Sequence, residues 1–84
     1  MTSKDSSRLV DFKATYSLAV GLFTSLYAIE DNIRTFCQQY SLSYKMLTSG
    51  LLTKNITVLI SGVCKENDVA AYKQTFENYF RRLS

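Results

Sequence analysis

The chain has 84 residues, ten Lys or Arg against seven Asp or Glu for a net charge of +3, and no His, Trp or Pro. Without His, Ser-His-Asp and Cys-His catalytic arrangements and His-ligated metal sites are excluded. A hydrophobic content of 46% with 13% aromatics fills a small core, whereas Lys and Arg scattered at a charge of +3 fall short of the clustered footprint of a nucleic-acid-binding domain.

Residues 1–8 are polar and aperiodic, which predicts a mobile tail before a single domain over 9–84. The clearest signal follows. Val10, Phe12, Ala14, Tyr16, Leu18 and Val20 alternate with Asp11, Lys13, Thr15, Ser17 and Ala19. This period of two predicts a half-buried β-strand from about Leu9 to Val20. After Gly21 the period changes: Leu22, Leu26, Ile29, Ile33, Phe36 and Tyr40 recur at spacings of three and four. That is one face of a helix, capped by Thr24 or Ser25 and ending near Gln39 or Tyr40.

Alternation returns between Leu42 and Leu52, and the β-branched run Ile56–Ser61 predicts another strand closed by Gly62. The hairpin between them turns at Thr53-Lys54-Asn55 in preference to Ser49-Gly50, with Gly50 as a bulge. The segment 62–65 reads as a strand-to-helix turn, with Asn67 or Asp68 capping the last helix. Val69, Tyr72, Phe76, Tyr79, Phe80 and Leu83 form the apolar stripe of that helix, and Arg81 and Arg82 suit its C-terminal end.

The predicted class is therefore α+β, in the order β-α-β-β-α, with the helices on one face of an antiparallel or mixed three-stranded sheet. In element order this resembles the ferredoxin-like split β-α-β plan without its fourth strand.

Few residues carry chemistry. Cys37 and Cys64 match no metal or redox spacing and read as buried small hydrophobes. The sequon Asn55-Ile56-Thr57 matters only in a secreted protein. Glu30 and Asp31 are adjacent on a helix and point about 100° apart, too divergent to share a proton or a metal. Gly21, Gly50 and Gly62 are isolated, so none builds a phosphate cradle. The uncharged stretch from Ala14 to Ile29 is shorter than the roughly 20 residues of a membrane-spanning helix, and it lacks a signal peptide's basic flank. Neither an enzyme, nor a cofactor, nor a membrane association is expected, and the predicted setting is cytoplasmic.

The absent fourth strand makes the first strand an edge, long and amphipathic, of the kind that pairs with another chain. The expected function is a non-enzymatic interaction or oligomerisation module that associates through residues 10–20 with itself or with a partner supplying a strand. Asp11, Lys13, Thr15 and Ser17 are its exposed side chains. The alternative is weak, salt-sensitive nucleic-acid binding by Lys13, Lys45 and Lys54 on the open sheet face and hairpin; Tyr40 and Tyr44, which flank the helix-to-strand turn, read as core-edge residues in preference to base-stacking rings.

Overall fold

The computed structural model of the protein describes residues 8–83. Its elements run β1 (Leu9–Val20), α1 (Leu26–Tyr40), β2 (Leu42–Ser49), β3 (Lys54–Lys65), a short 3-10 helix (Glu66–Asp68) and α2 (Val69–Leu83). The three strands form one wholly antiparallel sheet in the order β1-β3-β2. Of the predicted tail, residues 1–7 lie outside the described residues. Arg8 is exposed, and its carbonyl accepts a hydrogen bond from the Glu66 N–H at 2.8 Å.

The alternation of β1 decides which face is covered. Phe12 and Val20 are buried and Val10, Ala14, Tyr16 and Leu18 half-buried, while Asp11, Lys13, Thr15, Ser17 and Ala19 are exposed. Ile56, Val58, Ile60 and Cys64 of β3 continue the covered face, as does Leu42 of β2. The helices close over this face side by side. Tyr40 of α1 lies on Tyr72 of α2 with ring centroids 4.1 Å apart, and Phe36 meets Phe76 at 5.9 Å and Tyr79 at 5.5 Å. Aromatic pairs of this kind contribute beyond their buried area, so most of the rings in the sequence serve the helix–helix and helix–sheet seams.

The first helix runs as expected from a Ser25 cap to Tyr40; the Ser25 hydroxyl accepts from the Ala28 N–H at 3.2 Å. Other details differ from the sequence reading. Leu22 precedes the helix in a loop and is exposed. At the other end Ser41 adopts a left-handed conformation (φ 58°) and returns its N–H to the carbonyls of Cys37 and Gln38, an uncommon geometry for a residue with a Cβ. β2 stops at Ser49, earlier than expected. The hairpin turns at residues 50–53, and Ser49 pairs with Asn55. Gly50 is no bulge but a turn residue at φ 103°, where a Cβ would run into the Thr53 carbonyl.

Gly62 does not close the strand. β3 continues through it to Lys65, so residues 62–65 belong to the sheet and not to a turn. Gly62 stands opposite Phe12 on one side and Leu42 on the other. A Cβ there would meet Leu42 Cδ2 at 2.7 Å, so the glycine makes room for a large side chain on the covered face. Asn67 and Asp68 lie within the 3-10 helix Glu66–Asp68, which runs directly into α2 at Val69.

Candidate interaction edge

In the order β1-β3-β2, β1 is hydrogen-bonded to β3 along its whole length, from Leu9 opposite Lys65 to Val20 opposite Lys54. Its other side meets no strand among the described residues. In an antiparallel ladder alternate residues turn both N–H and C=O to the same side. Every second residue of β1 therefore presents its backbone groups outward. This row of donors and acceptors lies along a strand of twelve residues, longer than the eight of β2 at the sheet's other edge, and is a template for another strand.

Asp11, Lys13, Thr15 and Ser17 are all exposed and share the open face of the sheet. They stand opposite Val63, Ser61, Leu59 and Thr57 of β3, and the Ser17 and Thr57 hydroxyls approach to 3.5 Å. These four flank the edge, whereas the pairing groups are main-chain atoms. An incoming strand would be selected by the fit of its side chains to this row and to the covered face.

α2 holds the edge in place. Tyr16 stacks on Phe80 with centroids 4.9 Å apart, its hydroxyl donates to the Lys73 carbonyl at 3.4 Å, and Phe12 meets Tyr72 edge-on at 6.2 Å. Burial, and after it the Glu77 carboxylate, raises the Tyr16 hydroxyl above its ordinary pKa. Between β1 and α2 lies an open groove of about 220 Å³, lined by Lys13, Ala14, Thr15, Tyr16, Lys73 and Glu77. All six belong to β1 or α2, which puts the groove on the outer side of the strand at its middle.

The residues of the nucleic-acid alternative are not brought together as a set. Lys13 and Lys45 share the open face, Lys13 opposite Ser61 and Lys45 opposite Leu59. Lys54 falls on the other face at the hairpin, half-buried, with Nζ donating to the Gly50 carbonyl at 3.3 Å. Both faces of the base-stacking idea also weaken. Tyr40 is engaged by Tyr72, and the Tyr44 hydroxyl donates to Glu30 at 3.0 Å. The adjacent acids separate in the same way: Glu30 serves Tyr44, and Asp31 pairs with Arg34 at 3.0 Å. Cys37 and Cys64 are buried free thiols.

One feature escaped the sequence reading. The loop after β1 and the β2–β3 hairpin emerge at the same end of the sheet, because Val20 pairs with Lys54. They carry Leu22, Phe23, Leu51 and Leu52 there, with Tyr27 in the first turn of α1. Phe23 is 98% exposed and Leu51 87%. Two large apolar residues directly after a glycine, Leu22-Phe23 after Gly21 and Leu51-Leu52 after Gly50, were the available signal.

Among the described residues no helix is long and apolar enough to cross a membrane. No protein-family model, curated protein or solved structure matches the chain.

Proposed function

We propose that this protein is a non-enzymatic interaction module on the ferredoxin-like split β-α-β plan without its fourth strand, and that it associates through the edge of β1 with itself or with a partner that supplies a strand. One observation carries the reading: among the described residues, twelve residues of amphipathic strand are hydrogen-bonded on one side only. Edges of this length are ordinarily blunted by Pro, by a bulge or by a charge pointing inward. β1 has no Pro, runs in unbroken register against β3, and places Asp11 and Lys13 on the open face. Two buried free thiols, Cys37 and Cys64, suit a reducing, cytoplasmic setting.

Size-exclusion chromatography with light scattering tests the proposal. The protein is expected to run above its monomer mass at high micromolar concentration, and Thr15→Pro or Ser17→Lys should return it to the monomer. A native chain that stays monomeric at that concentration would overturn the self-association form of the reading, and a β1 edge that pairs with neither a second copy nor a partner strand would overturn it whole.

A further inference from the structure

The groove at the middle of β1 indicates which strand completes the sheet. We infer that the occupant is a second copy of this chain, its β1 laid antiparallel to the first about a two-fold axis through Ala14, with Lys73 of each α2 facing Glu77 of the other. The inference rests on the edge-pairing reading above and adds the partner, the register and the charged pair that selects it.

Three observations converge on Ala14. The first is the strand itself. In a symmetric antiparallel pair, opposed residue numbers have a constant sum. A sum of 28 sets Leu9 against Ala19, Val10 against Leu18, Asp11 against Ser17, Phe12 against Tyr16 and Lys13 against Thr15. This uses nearly all of β1 and keeps apolar residues on the covered face and polar ones on the open face, as sheet pairing requires. It also sets no pair of like charges opposite each other, whereas a sum of 26 would oppose Lys13 to itself.

The second is the level of α2. Phe12 meets Tyr72 and Tyr16 meets Phe80, so helix and strand run in the same direction. Four strand residues advance roughly 13 Å, and eight helix residues advance roughly 12 Å. The two elements therefore keep pace. The midpoint of Lys73 and Glu77 falls between the levels of Phe12 and Tyr16, beside Ala14. A two-fold axis there carries the Lys73 of one copy to the level of Glu77 in the other, twice by symmetry.

The third is the groove. Lys73 and Glu77 are exposed and line it together with Ala14. Ala14 is half-buried and puts only a methyl group on the covered face at the axis, which leaves the space there to the Lys73 and Glu77 side chains. An isologous contact of this kind is self-complementary, which a lone cation or a lone carboxylate at the same place would not be.

Charge reversal separates the register from the association itself. Lys73→Glu and Glu77→Lys should each weaken the homodimer on the order of ten-fold, because two attractive pairs become two repulsive ones. Each leaves far-UV circular dichroism and the melting transition of the monomer unchanged, since both side chains are exposed. Mixing the two variants should restore native affinity in a heterodimer, and the double variant should dimerise like the native chain. A native dimer whose affinity ignores both reversals, with no preference for the mixed pair, would overturn the Ala14 register and leave edge association standing. A native chain that is monomeric would overturn the second-copy inference and, with it, the self-association form of the edge reading.

Discussion

Tyr16 of β1 lies against Phe80 of α2 with ring centroids 4.9 Å apart and planes within 25° of parallel. The contact fastens an edge strand to the last helix, and with it the position of the outward backbone row. Tyr16→Ala is expected to destabilise the fold by about 3 kcal/mol, as large aromatic truncations do. Tyr16→Phe keeps the ring and loses only a long hydrogen bond to Lys73, so it should cost under about 1 kcal/mol. Urea titrations of the two variants check the order.

Gly62 is the second constraint on the sheet. With Leu42 Cδ2 only 2.7 Å from where a Cβ would stand, Gly62→Ala overpacks the covered face and should cost about 1–3 kcal/mol. Leu42→Ala alone leaves a cavity, yet in the double variant the two changes should cost less than their sum. A double-mutant cycle by chemical denaturation measures that coupling.

The Cys37 thiol is pushed by burial from its ordinary 9.0 up to about 11. The core accepts the neutral thiol, so the folded chain holds this proton to higher pH than the unfolded one. The resulting stability is complete below pH 9.0 and is lost as pH rises toward about 11. Burial also raises Cys64 and Tyr72, so the alkaline decline is shared. Cys37→Ala should make it shallower in urea midpoints taken across that range, and native Cys37 should resist thiol reagents at neutral pH.

The apolar end behaves differently. Phe23, Leu51 and Leu52 are 98%, 87% and 77% exposed, so replacing each with Ser should shift stability by less than about 0.5 kcal/mol. Solubility should rise, because large exposed apolar residues gathered at one end of the sheet promote association. Thermal melts and the concentration at the onset of precipitation read the two effects separately.

The parts of the fold legible in the sequence were those with an uninterrupted period. The alternation from Val10 to Val20 and the stripe from Val69 to Leu83 each repeat long enough to name their element and its buried face. The less legible parts depend on contacts between distant residues. Gly62 looked like a strand end because its reason, Leu42, lies twenty positions away in the chain and one strand away in the sheet. The hairpin turn depended on the register of Ser49 against Asn55, which no local pattern specified. Leu22 fitted the helical spacing but fell before the Ser25 cap. The edge of β1 was legible from the count of strands. The groove was not, because Lys73 and Glu77 reach Ala14 only once α2 is folded back over the strand.

Amide hydrogen exchange along β1, read residue by residue by NMR at association-promoting concentration, tests the central claim most directly. If the edge is paired, alternate amides that face β3 and those that face away should both be protected from Val10 to Leu18, and Thr15→Pro should expose the outward set alone. Rapid exchange of every second β1 amide in the native protein at that concentration, beside full protection of β3, would contradict it.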